Sequence, residues 1–184
     1  MSFYSTLVRA THLVTNAAWF GGSLMGAIAL NPAAGEGDDP REQAAIADEG
    51  WTRWGPVQGA AIGLHLLSGI AIVADNRRRV VAHRPTTAAV AAKTALTGAA
   101  VLASGAAYRL GAELGDAQED AGHDPAAARR ARSLASTMRW LQWATPATTA
   151  GILVLDAYLG EQQRGEAGLL DRPTRMADLG RRTA

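Results

Sequence analysis

The chain has 184 residues, room for one domain, with 18 Lys and Arg against 17 Asp and Glu and no cysteine. A net charge of +1 leaves no basic footprint for a nucleic-acid partner. The absence of cysteine excludes disulfides, thiolate metal sites and cysteine nucleophiles.

Charged residues gather in 35–53, 75–84, 109–139 and 161–184, and four weakly charged runs lie between or before these blocks. The first expected span runs from Leu7 to Leu30 and ends at Asn31-Pro32. Met1 to Arg9 is too short and too weakly basic for a cleaved signal. In the loop that follows, Asp39-Pro40-Arg41-Glu42 offers an N-cap, a proline at the first helical position and a capping-box Glu. The second span runs from Gly55 to Ala74. From Trp54 to Ala74 there is no Asp, Glu, Lys or Arg, whereas a soluble amphipathic helix would show a charged face. About 20 such residues can cross a hydrocarbon core of roughly 30 Å. The third span, Ala88 to Tyr108, follows Arg84-Pro85 and precedes Arg109. Asp124-Pro125 gives a second Asp-Pro helix start. The fourth span runs from Trp140 to Leu159, closed by Glu161 and Arg164. Residues 164–184 are expected to be a mobile cytoplasmic tail.

The fold class is therefore all-α, a four-helix transmembrane bundle over residues 1–163, in the plasma membrane with the lipid bilayer as its solvent. Four spans put both termini on one side with Arg77, Arg78, Arg79 and Arg84, and the positive-inside rule makes that side cytoplasmic. Trp51, Trp54, Trp140 and Trp143 then fall at the outer interface, where indole rings are enriched. Each half shows a span, an Asp-Pro helix start, Trp-x-x-Trp, a proline and a second span. That order admits two repeated hairpins related by an axis along the membrane normal.

Ionisable groups inside spans are expensive and mark functional candidates. His12, His65, Lys93 and Asp156 are the four. His12, Lys93 and Asp156 fall at one level in the inner half, and His65 nearer the midplane. His12, Asn16, Trp19 and Ser23 share one face of the first span. Thr94, Val101 and Tyr108 are expected to form a stripe beside Lys93, and Gln142, Thr149 and Asp156 another. Each candidate also has a plainer reading. Lys93 can snorkel to the interface, Asp156 can pair with Lys93 or Arg164, and His12 can bond a backbone carbonyl. His83 and His123 are expected to be solvated. Gly22-x-x-x-Gly26 and Gly59-x-x-x-Gly63 permit close helix approach.

The segment His12-Leu-Val-Thr-Asn-Ala-Ala-Trp19-Phe-Gly21-Gly22 resembles the first helix of copper-resistance D membrane proteins. HemJ-type protoporphyrinogen oxidases share a helix-one His followed by Trp and Gly. Val90-Ala-Ala-Lys93-Thr-Ala-Leu96 resembles a later span of both groups. The whole chain is similar to four-span membrane proteins of high-GC Gram-positive, actinobacterial type. The resemblance covers about a third of the chain, and what it implies is limited to His12, Trp19 and Lys93 in porphyrin, haem or copper chemistry.

The first expectation is haem or porphyrin binding. His12 and His65 would be metal ligands, and Lys93, Trp19 and Asn16 would help hold the cofactor. The alternatives are an accessory subunit of a larger membrane complex and a small proton-coupled transporter, the latter needing a homodimer. Asp156 and Lys93 would line its proton pathway. Whether the protein is an enzyme stays open. Copper is weaker, because the four Met do not cluster and soft sulfur suits Cu(I). Gly-x-Ser-x-Gly, His-Glu-x-x-His and phosphate-loop motifs are absent.

Overall fold

Alanine-rich, uncharged stretches favour helix because alanine loses least side-chain entropy there. A computed structural model describes residues 3–162, and every element among them is helical. The tail 164–184 and Arg164 lie outside the described residues.

Helix α1, Phe3–Met25, continues through a five-residue π-helical stretch, Gly26–Leu30, into α2, Asn31–Ala34. The stop expected at Asn31-Pro32 is overrun. Pro32 falls in the first turn of α2, where its missing N–H costs little. The wider π turn gives its ring room against the preceding carbonyls.

Helix α3, Pro40–Asp75, has 36 residues. At ~1.5 Å per residue it is about 54 Å long, well beyond a hydrocarbon core. The Asp39 carboxylate caps it, accepting the Arg41 and Glu42 N–H groups at 2.8 and 3.0 Å. Those bonds, Glu42 first, hold the Asp39 carboxyl below the usual carboxylate range. Glu42 takes the Asp38 N–H at 2.7 Å, one residue further out than a capping box requires. The second span does not begin afresh at Gly55: α3 passes through Pro56 unbroken.

Helix α4, Arg77–Ala82, links to α5, Arg84–Asp120, which has 37 residues. His83, expected to be solvated, caps α5 by accepting from the Thr86 N–H. Asp124 caps α6, Pro125–Leu141, through the Ala126 N–H at 2.7 Å. The fourth expected span is split, since α6 ends at Leu141 and α7 starts at Ala144 and runs to Gln162. The two halves thus differ. Trp51-x-x-Trp54 lies inside one continuous helix, whereas Trp140-x-x-Trp143 straddles a helix break.

Phe3–Ala34, Pro40–Asp75 and Arg84–Asp120 are long and apolar enough to cross a membrane, which makes this an integral membrane protein. Helix α1 packs on α3 and α7, and α5 packs on α7 and α6. Trp19, Ala100 and Ile152 form the fully buried apolar centre, with Ile62, Leu96 and Val101 against it. Leu67, Ile70, Leu102 and Val154 face outward. Exposed apolar area on that scale suits a hydrocarbon solvent rather than water.

Candidate functional site: a buried His-Lys-Asp cluster

Four helices each contribute one ionisable side chain to a single cluster. His12 of α1 and His65 of α3 are 4% and 2% exposed. Their rings stack with centroids 3.9 Å apart and planes 16° from parallel. His12 Nδ1 lies 3.0 Å from the His65 carbonyl oxygen and 3.1 Å from Ser68 Oγ. His65 Nδ1 lies 3.3 Å from the His12 carbonyl oxygen. A carbonyl oxygen only accepts, so both Nδ1 atoms carry the proton. The two rings are thus clasped reciprocally, each giving its Nδ1–H to the other residue's backbone carbonyl.

The Nε2 of His12 faces Lys93 of α5, whose Nζ donates to it at 2.7 Å. Lys93 also donates to Asp156 of α7 in an ion pair whose side chains are 14% and 13% exposed. A buried pair of this kind offsets desolvation only when its geometry and remaining bonds are good. Here the lysine holds two acceptors at once, so it is fixed between α1 and α7 rather than extended toward the interface.

The sequence separated His65 from His12 by roughly 7 Å of depth at ~1.5 Å per residue, whereas the structure stacks them at one level. The reason is that α1 begins at Phe3 rather than Leu7, and α3 ends at Asp75. The two histidines then sit equally far from the same end of the bundle. Trp19 meets the His65 ring nearly edge-on, with centroids 6.0 Å apart. Asn16, one turn beyond His12, is fully buried, and its Nδ2 makes a long contact of 3.5 Å with the Thr149 carbonyl oxygen.

The stripe expected beside Lys93 is corrected. Val101 packs against the core, but Thr94 and Tyr108 are exposed, and the inward face of α5 carries Lys93, Leu96, Ala100 and Ala103. The reason lies in phase: at about 100° per residue Thr94 is turned a quarter-circle away from Lys93, whereas Leu96 and Ala100, three and seven residues on, return to the Lys93 face. Of the stripe expected on the fourth span, Thr149 and Asp156 share the inward face of α7, whereas Gln142 lies in the break before that helix and accepts from Asn31 at 2.9 Å.

The sequence reading missed the hydroxyls that extend the cluster. Ser68 sits beside His12, and the Trp19 indole donates to Ser104 Oγ at 3.1 Å, which lies 3.4 Å from Thr145 Oγ1. Toward the other end, Arg9 donates to Asn76 at 3.1 Å, and Thr86 donates to Gln162 at 2.9 Å. Spacing gave no signal for these, because Ser and Thr in helices commonly bond their own carbonyls.

Iron held by two imidazoles needs a ligand nitrogen on each side of the macrocycle. Rings stacked at 3.9 Å leave no room for a porphyrin between them, and His12 Nε2 is already taken by Lys93. The pair does not fit haem in this arrangement. Among the described residues, no group of three or more His, Asp or Glu is placed to hold a metal ion. No protein-family model, curated protein or solved structure matches the chain.

Proposed function

We propose that this protein is a small proton-handling membrane protein, with the His12–His65–Lys93–Asp156 cluster as the site that takes up and passes on a proton. The observation that carries this reading is Lys93, which bridges an acid and an imidazole lone pair in the bundle interior. Such side chains within membrane spans are the material of proton relays. A proton reaching Asp156 neutralises its carboxylate and loosens its hold on Lys93. Lys93 then gives a proton to His12 Nε2, and the imidazolium keeps its Nδ1–H on the His65 carbonyl and Ser68. Asp156 then returns its proton to the neutral Lys93 amine, which restores the ion pair, and the arriving proton has in effect moved from α7 to α1.

On this reading α7 is the fourth span. Its 19 residues make about 28 Å at ~1.5 Å per residue, and Lys93 compensates the charge of Asp156. Both termini face the cytoplasm across the plasma membrane, with the arginine-rich turn at Arg77 and Arg78. The haem expectation finds no support in the geometry of the two rings.

The test is proton uptake into liposomes carrying the purified protein, driven by a potassium-diffusion potential and read by an internal pH dye. Uptake above that of protein-free vesicles is expected, and Asp156→Asn is expected to remove it. Wild-type uptake no faster than empty vesicles would sink the proposal. An accessory-subunit or homodimer role is the second reading. It is favoured by the outer faces of α3 and α5, where Gly59, Gly63, Gly98 and Gly105 each have open space for a Cβ.

A further inference from the structure

Two buried acceptors beside the cluster have no donor among the described residues. Asp156 gives one carboxylate oxygen to Lys93, and its Oδ2 has no partner. Asn16 is fully buried, and its Oδ1 likewise has none. A buried polar atom left unpaired costs about 1–3 kcal/mol. Proteins avoid that cost by holding water against such atoms.

The helix directions bring the two acceptors toward one space. Asn31 bonds Gln142, Asn16 reaches Thr149, and His12 is bridged to Asp156 by Lys93. Numbers fall along α7 as they rise along α1, so the two helices are antiparallel. Side chains on a helix lean toward its N-terminus. Asn16 therefore leans toward the level of Asp156, and Asp156 leans toward the level of Thr149. The gap to cover is about 10 Å along the axis, two helical turns at ~1.5 Å per residue.

Charge decides what fills it. Lys93 and Asp156 already balance each other, so a cationic guest would bring an uncompensated charge into the bundle interior. A neutral donor fits. We propose that a short file of water is held between Asn16 Oδ1 and Asp156 Oδ2, since one molecule reaches only about 5.6 Å between two acceptors, and that Asn16 is the positioning residue for it. The role of this water as a proton carrier rests on the proton-handling reading. In that role it accepts a proton from the outer side and gives one of its own to Asp156 Oδ2, so it leaves the step unchanged.

A structure of the full chain in lipid, at a resolution that shows ordered water, tests the site itself. Density within hydrogen-bond reach of both oxygens is expected. Two oxygens paired with protein donors, or facing no density, would overturn the proposal. Proton uptake then tests the role. Asn16→Leu should slow uptake about tenfold, the loss expected of one hydrogen bond to a charged group. Asn16→Ser, which keeps an acceptor, should retain most of it, and it serves if the leucine variant does not fold. Asn16→Leu and Asn16→Ser both at wild-type speed, with Asp156→Asn dead, would remove the water from the route and leave the proton site standing. If Asp156→Asn runs at wild-type speed, the proton reading falls and the density alone decides the water.

Discussion

Lys93 ties three helices through one nitrogen, since it lies on α5 and bonds His12 of α1 and Asp156 of α7. Removing either half of the ion pair leaves the other charge buried without its partner, which typically costs 3–5 kcal/mol. Replacing both with apolar side chains removes that penalty. Lys93→Met and Asp156→Leu are each expected to lower the unfolding midpoint in detergent strongly, and the double variant less than either alone. A double variant at the sum of the singles would mean the two charges do not depend on each other. These residues were legible in the sequence because an ionisable side chain in a span is expensive enough to need a reason. Their stacking and order were not legible, since depth depends on where α1 begins, and the uncharged residues Phe3, Tyr4, Ser5 and Thr6 extend the helix before Leu7 without marking its start. Ser68 and Asn16 show the other limit: their type is compatible with a bond to their own helix, so only the neighbouring helix reveals what they do.

At the scale of elements, two identical motifs have opposite environments. Gly22-x-x-x-Gly26, running from α1 into the π-helical stretch, seats two indole rings, and a Cβ on Gly22 would stand 2.1 Å from Trp54 Cζ2. On Gly26 it would stand 2.2 Å from Trp51 Cη2. Gly59-x-x-x-Gly63 on α3 has nothing within 4 Å of either added Cβ. Gly22→Ala must push Trp54 out of its seat and break its 3.0 Å bond to Gln58. A cost of about 1–3 kcal/mol is expected, as for other overpacked contacts. Gly63→Ala should instead be neutral or gain up to about 1 kcal/mol, because alanine favours a helix interior. Thermal unfolding of both in the same detergent checks the contrast, and equal losses would show that α3 is covered by a partner on that face. The sequence could not tell the two motifs apart, since the occupants of the first, Trp51 and Trp54, are assigned by packing between helices. It placed Trp51 and Trp54 at an interface by residue type, while their indole N–H groups in fact turn inward to Asn31 and Gln58.

For the whole molecule, the decisive property is which segments share a side of the bilayer. Helices α3 and α5 both exceed the length of a span, and α6 packs along α5, joined by the Arg130–Glu113 pair at 3.0 Å. The excess length of both helices and all of α6 therefore form one structure at one end of the bundle. The turn carrying Arg77 and Arg78 lies at the other end. All-α architecture and three crossing helices were legible from hydropathy, but the fourth was not equally so, because α7 is short and carries Asp156 in its last third. If α7 crosses, its last turn emerges beside the arginine-rich turn. The absence of cysteine gives a clean background for testing this. Ser133, Arg78 and Glu161 are all exposed, and each can be replaced singly by cysteine. Ser133→Cys is expected to react with a membrane-impermeant maleimide in intact cells. Arg78→Cys and Glu161→Cys should react only after permeabilisation. Glu161→Cys labelled together with Ser133→Cys would mean that α7 does not cross, and Asp156 would then have no membrane interior to carry a proton through. Arg78→Cys labelled in intact cells would invert the orientation while leaving the cluster intact.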